Sequence, residues 1–541
     1  MSFQPHELSS KSFLIVDDFG DMRSMLRSML QSIGVSRIEI VANGESAIQA
    51  LESARYDIVL CDYNLGPGKN GQQVLEEARH RELIGLGSVF LMITAENTRE
   101  KVMGAVEYEP DSYLTKPFTK DLLKARLVKL VVRKKNLEPV ERAVRQRDIP
   151  KAIGLLERLI AERPRNLPEL IKLKAELCFS AGQYEQAALV YEQVLAAREM
   201  PWARLGLGKV MFASGRLERA RDMFEQLIRD HGQLTAAYDW LAKTLQALEQ
   251  PEPAQRVLQQ AVEISPKAIL RQRALGELAL RNGDPATAEK ALSQAVRLGQ
   301  NSVYRHPALY TGLARAQAAQ GNGKAALKAL GQLERAFKGS DEARLYAAME
   351  EGMVRSRMGE EQAADACLDR ARGLYRTLGS QPPAELTLEL ARTCGLLGDR
   401  EGARELLRSA VSNNHTEEAF LKQVGDVIDE LDMEMDAERF IGDIRREIVR
   451  LNNQGVELAR QGSLEEAVTL FEKAVQRMPG NRVVNLNAAR VLIMRMQERG
   501  VDSEQLGRTR EYLERVRTVD PENPSLRRIL GMYQGLLAGA G

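Results

Sequence analysis

Cysteine is scarce: Cys61, Cys178, Cys367 and Cys394 are scattered along 541 residues with no CxxC pair. Neither a disulfide framework nor a zinc site is expected, and a reducing cytoplasm is the simplest setting. Long apolar runs are missing too. Nothing approaches the roughly 18–20 residues of a membrane span, and the opening "MSFQPHELSS" lacks the apolar centre of a secretion signal. The expectation is a cytoplasmic protein, neither exported nor inserted in a membrane. Five histidines, His6, His80, His231, His306 and His415, form no HxH, HExxH or HD spacing. Metal hydrolysis and cyclic-nucleotide cleavage are therefore unsupported, and each histidine is expected at the surface. No Walker loop or GxGxxG follows a strand, so nucleotide binding is unsupported as well. Excess charge is also absent: 76 Lys and Arg against 75 Asp and Glu leave +1, no global reason to bind nucleic acid or an anionic membrane. One basic stretch, "KARLVKLVVRKKN" (124–136), is followed by no helix-turn-helix, zinc finger or aromatic platform. It reads as a solvated helix, and no nucleic-acid partner is expected. Trp202 and Trp240 fall in helical patterns that suit core or groove lining.

What is present divides into two halves. A chain this long exceeds the size at which one core stops growing, so at least two domains or a repeat array are expected. Up to about residue 130, apolar runs alternate with helix-length segments: "FLIV" (13–16), "IEIV" (38–41), "DIVLC" (57–61), "VFLMI" (89–93) and "SYL" (112–114). The pattern predicts a parallel sheet covered on both faces. In such sheets ligands collect outside the carboxyl ends of the strands. Asp17 and Asp18 follow the first strand, Asp62 the third, Thr94 the fourth and Lys116 the fifth, so five polar groups converge on one end. Three carboxylates around one small site stay ionised together only if a cation offsets them. Mg²⁺ suits them best, because it binds through one or two carboxylates, keeps waters and bridges to phosphate oxygens. A lysine and a threonine hydroxyl can serve further phosphoryl oxygens. The constellation predicts phosphoryl transfer.

On these residues, 11–130 resembles a response-regulator receiver domain: the acidic pair, the acceptor aspartate, Thr94-Ala95 and the "KPF" of 116–118. The resemblance implies a flavodoxin-like α/β fold, a five-stranded parallel sheet of order 2-1-3-4-5. It implies Asp62 as phospho-acceptor, Mg²⁺ held by Asp17, Asp18, Asp62 and the carbonyl of Asn64, and Lys116 on the phosphoryl group. Thr94 and Tyr113 would be the switch pair, with Ala95 beside the phosphoryl site and Pro117 following a cis bond. Two stretches depart from the family pattern. The loop after Asp62 is a residue longer and contains Gly66-Pro67-Gly68, and Glu109-Pro110 stands where Gly-Ala is common.

Beyond residue 137 the sequence reads as one amphipathic helix after another. Ala187, Ala220, Ala254 and Ala288 are 33, 34 and 34 residues apart, each preceded by glycine or a polar turn. The stretch with Gly455, Ala467, Phe471, Ala474 and Pro479 carries the same form. These positions resemble the tetratricopeptide repeat, which implies an all-α superhelix whose groove holds a protein segment. Later steps of 38 or 39 residues, through Ala326, Ala364 and Ala403, predict longer helices or loops. About nine or ten helix pairs are expected. Asn453 and Asn487, 34 apart, would face the groove and clamp a peptide backbone.

The expected organisation is a receiver over 1–130, a helical linker over 131–138 and a repeat array over 139–535. The expected function is that of a two-component response regulator, phosphorylated by a sensor histidine kinase or phosphotransfer protein and acting through an unknown protein target. It would have no enzymatic activity beyond its own phosphorylation and dephosphorylation. A constitutive scaffold that docks independently of phosphorylation is the alternative, and a homodimer is left open.

Overall fold

The computed structural model describes residues 6–95, 110–379 and 382–539. The chain divides into two compact units, 1–320 and 321–541.

The first unit opens with five parallel strands, β1 (Ser12–Val16), β2 (Arg37–Val41), β3 (Ile58–Asp62), β4 (Val89–Thr94) and β5 (Ser112–Thr115), in the order β2-β1-β3-β4-β5. β1, β3 and β4 read as continuous apolar runs because both faces of the sheet are covered. Leu14 and Val16 pack on one side with Ala47, Leu51, Val74 and Leu75 from the helices Gly44–Ser53 and Gly71–His80. Phe13 and Ile15 pack on the other side with Leu26, Leu30, Leu123 and Leu127 from the helices Gly20–Ser32 and Lys120–Arg133. Successive side chains of a strand point to opposite faces, so a single "FLIV" run feeds both cores. Glu109, one of the two residues that depart from the receiver pattern there, lies outside the described residues, and its neighbour Pro110 is buried.

Residues 131–138, expected as one helical linker, are split. The last receiver helix runs on to Arg133, residues 134–137 form a turn with Asn136 at φ 66°, and a new helix starts at Glu138. Proline lacks the N–H that would continue a helix and is tolerated only in its first turn, where Pro139 sits. Lys134 is not a solvated cation: its Nζ lies 2.6 Å from Asp111 Oδ1, and burial holds its pKa below the ordinary lysine range.

Five helical hairpins follow in the first unit, from Glu138–Arg145 with Ile149–Ala161 to Ile269–Arg281 with Pro285–Leu298, and then the helix Pro307–Ala319. The second unit holds the helix Gly323–Ala336, four hairpins, and the unpaired helices Glu418–Glu430 and Pro524–Gly539. Every alanine counted in the sequence is buried: Ala187, Ala220, Ala254, Ala288, Ala326, Ala364, Ala403 and Ala467. The small residue on the opposing helix has the same cause. A Cβ on Gly208 would stand 2.5 Å from Phe224, and one on Gly455 would stand 2.6 Å from Phe471, both too close for any real contact. Close packing leaves no room to absorb the added atom. Glu249, at φ 57°, occupies a turn position held by glycine in neighbouring hairpins, such as Gly215 at φ 72° and Gly283 at φ 71°.

Candidate phosphoryl-acceptor site

Strand register brings the polar residues together. Val16 pairs with Cys61, so Asp17 and Asp62 follow side by side; Asp62 pairs with Ile93 and Thr94 with Thr115, which places Thr94 one step and Lys116 two steps further along the same edge. Asp17, Asp62 and Thr94 are buried, Lys116 and Tyr113 are half-buried, and Asp18, Asn64, Ala95 and Pro117 are exposed.

Lys116 Nζ donates to Asp17 Oδ2 at 3.0 Å and to Asp62 Oδ2 at 2.9 Å. Burial, helped by the Asp17 charge, pushes the Asp62 carboxyl above the ordinary carboxylate range in spite of Lys116. Burial also works against the lysine ammonium, but its bonds to Asp62 and Asp17 prevail and raise its pKa. Asp17 is tied down further: its Oδ1 accepts from the Phe19 backbone N–H at 2.9 Å, and its carbonyl accepts from Arg23 Nη1 at 2.6 Å. The Lys116–Pro117 peptide bond is cis. Tyr113, opposite Met92 in the sheet, packs against the apolar cluster containing Leu65 and Val74.

Carboxylate oxygens of Asp17, Asp18 and Asp62 lie within 4.8 Å of one another. An all-oxygen donor set this close together would suit Mg²⁺, a hard ion that takes carboxylate and carbonyl oxygens. The donor chemistry and the spacing both fit a hard divalent cation.

Sequence reasoning missed the support beneath the acceptor. Gly71 packs so closely on the Asp62 carbonyl oxygen that a Cβ there would collide with it. The glycine opens the helix Gly71–His80, whose capping box is made by Asn70 and Gln73. That box was legible as Asn-x-x-Gln, but the contact with Asp62 was not.

In the array, Asn453 and Asn487 stand on separate helices, Ala437–Arg460 and Arg482–Arg499, and meet different surroundings. Asn487 donates to Asn452 Oδ1 at 2.6 Å and borders a depression of about 310 Å³ with Arg482, Arg490 and Arg528. Asn453 is exposed and lines a different depression, with Arg446, Val449 and Arg450. His415 is not a surface residue; it is 8% exposed. All four cysteines are buried. Trp240 packs edge-on against Phe212 at 5.5 Å and lies between Lys209 and Lys243, as a half-buried lining residue.

A five-stranded parallel sheet with an acidic cluster and a lysine at its carboxyl edge defines a receiver. A family model for the response regulator receiver domain matches residues 13–128, and tetratricopeptide-repeat models match 179–245, 235–267, 273–344 and 384–409. Chemotaxis protein CheY of Pseudomonas aeruginosa is 33% identical over 120 residues, which are 22% of this chain and 95% of the relative. Chemotaxis protein CheY-3 of Vibrio cholerae is 36% identical over 120 residues, 22% of this chain and 91% of the relative. Among solved structures, the receiver domain of a sensor histidine kinase of Pseudomonas aeruginosa PAO1, described with a magnesium ion in its active-site cleft, is 26% identical. It covers 22% of this chain and 97% of its own, with a TM-score of 0.20. The chain belongs to the response-regulator family, with a receiver domain followed by a tetratricopeptide-repeat array of the kind that binds proteins.

Proposed function

We propose that this response regulator is a phosphorylation-gated adaptor. Asp62 accepts a phosphoryl group from the phosphohistidine of a sensor kinase or phosphotransfer protein, and the modified receiver controls what the repeat array binds. The observation that carries the reading is Lys116 Nζ spanning buried Asp17 and Asp62, with the Asp18 carboxylate in the same cluster.

An Asp62 oxygen attacks phosphorus, the P–N bond breaks, and its electron pair stays on the imidazole nitrogen. The product is an acyl phosphate on Asp62. Asp17, Asp18, Asp62 and the Asn64 carbonyl would hold Mg²⁺, which supplies neutralising charge for the carboxylates and the phosphoryl oxygens. Lys116 offers its ammonium to a phosphoryl oxygen, and the Thr94 hydroxyl offers a further donor. Positioning and charge neutralisation account for the catalysis. Water later cleaves the acyl phosphate, returning the Asp62 carboxylate and inorganic phosphate. The new charge, about −1.5 to −2 by analogy with phosphorylated hydroxyls, would draw Thr94 inward and let Tyr113 turn.

No activity beyond this self-modification, and no DNA contact, belongs to the reading, and the setting is the cytoplasm. No helix among the described residues is long and apolar enough to cross a membrane. The test is phosphoryl uptake by the full chain from a phosphohistidine donor, with and without Mg²⁺. Uptake should need the ion and vanish in Asp62→Ala; an Asp62→Ala protein that still gains a labile phosphoryl group sinks the reading. Equal partner binding by the two forms would favour a constitutive scaffold.

A further inference from the structure

Two irregularities in the sequence meet in the first unit. One is the Gly66-Pro67-Gly68 loop that follows Asp62. The other is the connection 299–306 between the helices Pro285–Leu298 and Pro307–Ala319, longer than the preceding junctions at 231–234 and 265–268. It accounts for the first 38-residue step in the repeat spacing. Asn301 Nδ2 donates to the Gly68 carbonyl at 3.0 Å. Gln73 Nε2 donates to the Leu298 carbonyl at 3.4 Å. The ring of Tyr304 meets that of His80 edge-on, centroids 5.7 Å apart.

All the receiver groups in this contact lie on one short path from the acceptor. A Cβ on Gly66 would stand 3.4 Å from Asp18 Oδ2, and Gly71 packs on the Asp62 carbonyl at the head of the helix that carries Gln73 and His80. A shift of the Asp62 backbone or of the loop behind it cannot be absorbed at Gly71, where no slack exists, so it moves the helix and the Gly68 carbonyl together. The contact lies at the surface: Asn301 and His80 are exposed, and the Gln73–Leu298 hydrogen bond is long at 3.4 Å. A surface contact joined closely to the site can be shifted by a change there.

We infer that residues 298–304 form a latch that docks the repeat array on the loop and helix behind Asp62, and that phosphorylation releases it. This rests on the phosphorelay reading and adds to it the place where the array senses the receiver. The latch is seen together with Lys116 bound to Asp62, and a phosphoryl group on Asp62 competes for that ammonium. Coupling of this kind is reciprocal: what the phosphoryl group does to the latch, the latch does to the site.

Hydrogen–deuterium exchange on the full chain with Mg²⁺ and beryllium fluoride, a phosphoryl mimic, tests it. Exchange at 298–306 should rise when the mimic binds, and not in Asp62→Ala. Unchanged or slowed exchange with the mimic demonstrably bound overturns the latch while leaving the phosphorelay reading intact. Failure of the mimic to bind the wild-type chain removes both. Independently, the Asn301→Ala/Tyr304→Ala variant should bind Mg²⁺ and beryllium fluoride about fivefold more tightly. Equal or weaker binding overturns the latch.

Discussion

The receiver and the repeat array obey different rules about where their function resides. In the receiver, function sits at strand ends: parallel register forces Asp17, Asp62, Thr94 and Lys116 onto one edge, whatever fills the helices between them. In the array, the recurring residues are structural. Ala187, Ala220 and Ala254 are buried at helix crossings, and Gly208 and Gly455 lie under aromatic rings. A repeat therefore announces its packing and keeps its ligand silent, whereas a parallel sheet announces its site.

That contrast can be broken from either side. The largest effect is expected in the array. Gly208→Leu, pressed against Phe224, should cost about 3 kcal/mol, the upper end for overpacking. Urea unfolding would measure it, and phosphoryl uptake by the receiver should persist. Next, Lys116→Ala removes the shared partner of two buried carboxylates and should cost about 2 kcal/mol of receiver stability. Added Mg²⁺ should restore part of the melting temperature, and the same ion should do nothing for Gly208→Leu.

A smaller effect tracks pH in the second unit. Asn481 Nδ2 bonds the Ser412 carbonyl at 2.6 Å and His415 Nδ1 at 2.9 Å, while its Oδ1 accepts from the Val484 N–H. The amide is thereby oriented so that Nδ1 must accept, which requires the neutral ring with its proton on Nε2. Burial, with Arg445 and Arg482 nearby, lowers the His415 pKa below its ordinary 6.5. With the folded pKa depressed, stability is full above about 6.5 and is lost as pH falls through the folded value. His415→Gln, which can still accept, should flatten the acid limb of a stability–pH curve. The smallest change expected is a gain: Glu249→Gly relieves a left-handed turn and should add about 0.5 kcal/mol, read as a shift in denaturation midpoint.

Most of the receiver was legible because its strands are uninterrupted apolar runs and its site residues are their immediate successors. The path from Asp62 through Gly71 was not legible, because a glycine's close approach to a backbone oxygen leaves no trace in composition. In the array, the helix periods and small residues were legible, whereas the partners of the asparagines were not. Asn453 and Asn487 share a repeat spacing, but the residue that accepts from Asn487 is Asn452, which no spacing picks out. The burial of His415 was not legible, because a single polar residue in a helical sequence reveals nothing of the amide 66 positions further on. The docking of residue 301 on residue 68 spans the longest sequence separation of all, and no local pattern encodes it.

The most direct measurement locates the phosphoryl group itself. The full chain is charged in Mg²⁺ by a phosphohistidine donor, reduced with borohydride and digested, and the peptides are weighed. An acyl phosphate is reduced to the alcohol, so an aspartate that carried it becomes homoserine. Homoserine at position 62 and at no other aspartate is the predicted result. Homoserine at Asp17 or Asp18, or phosphate retained elsewhere with Asp62 untouched, would contradict the account.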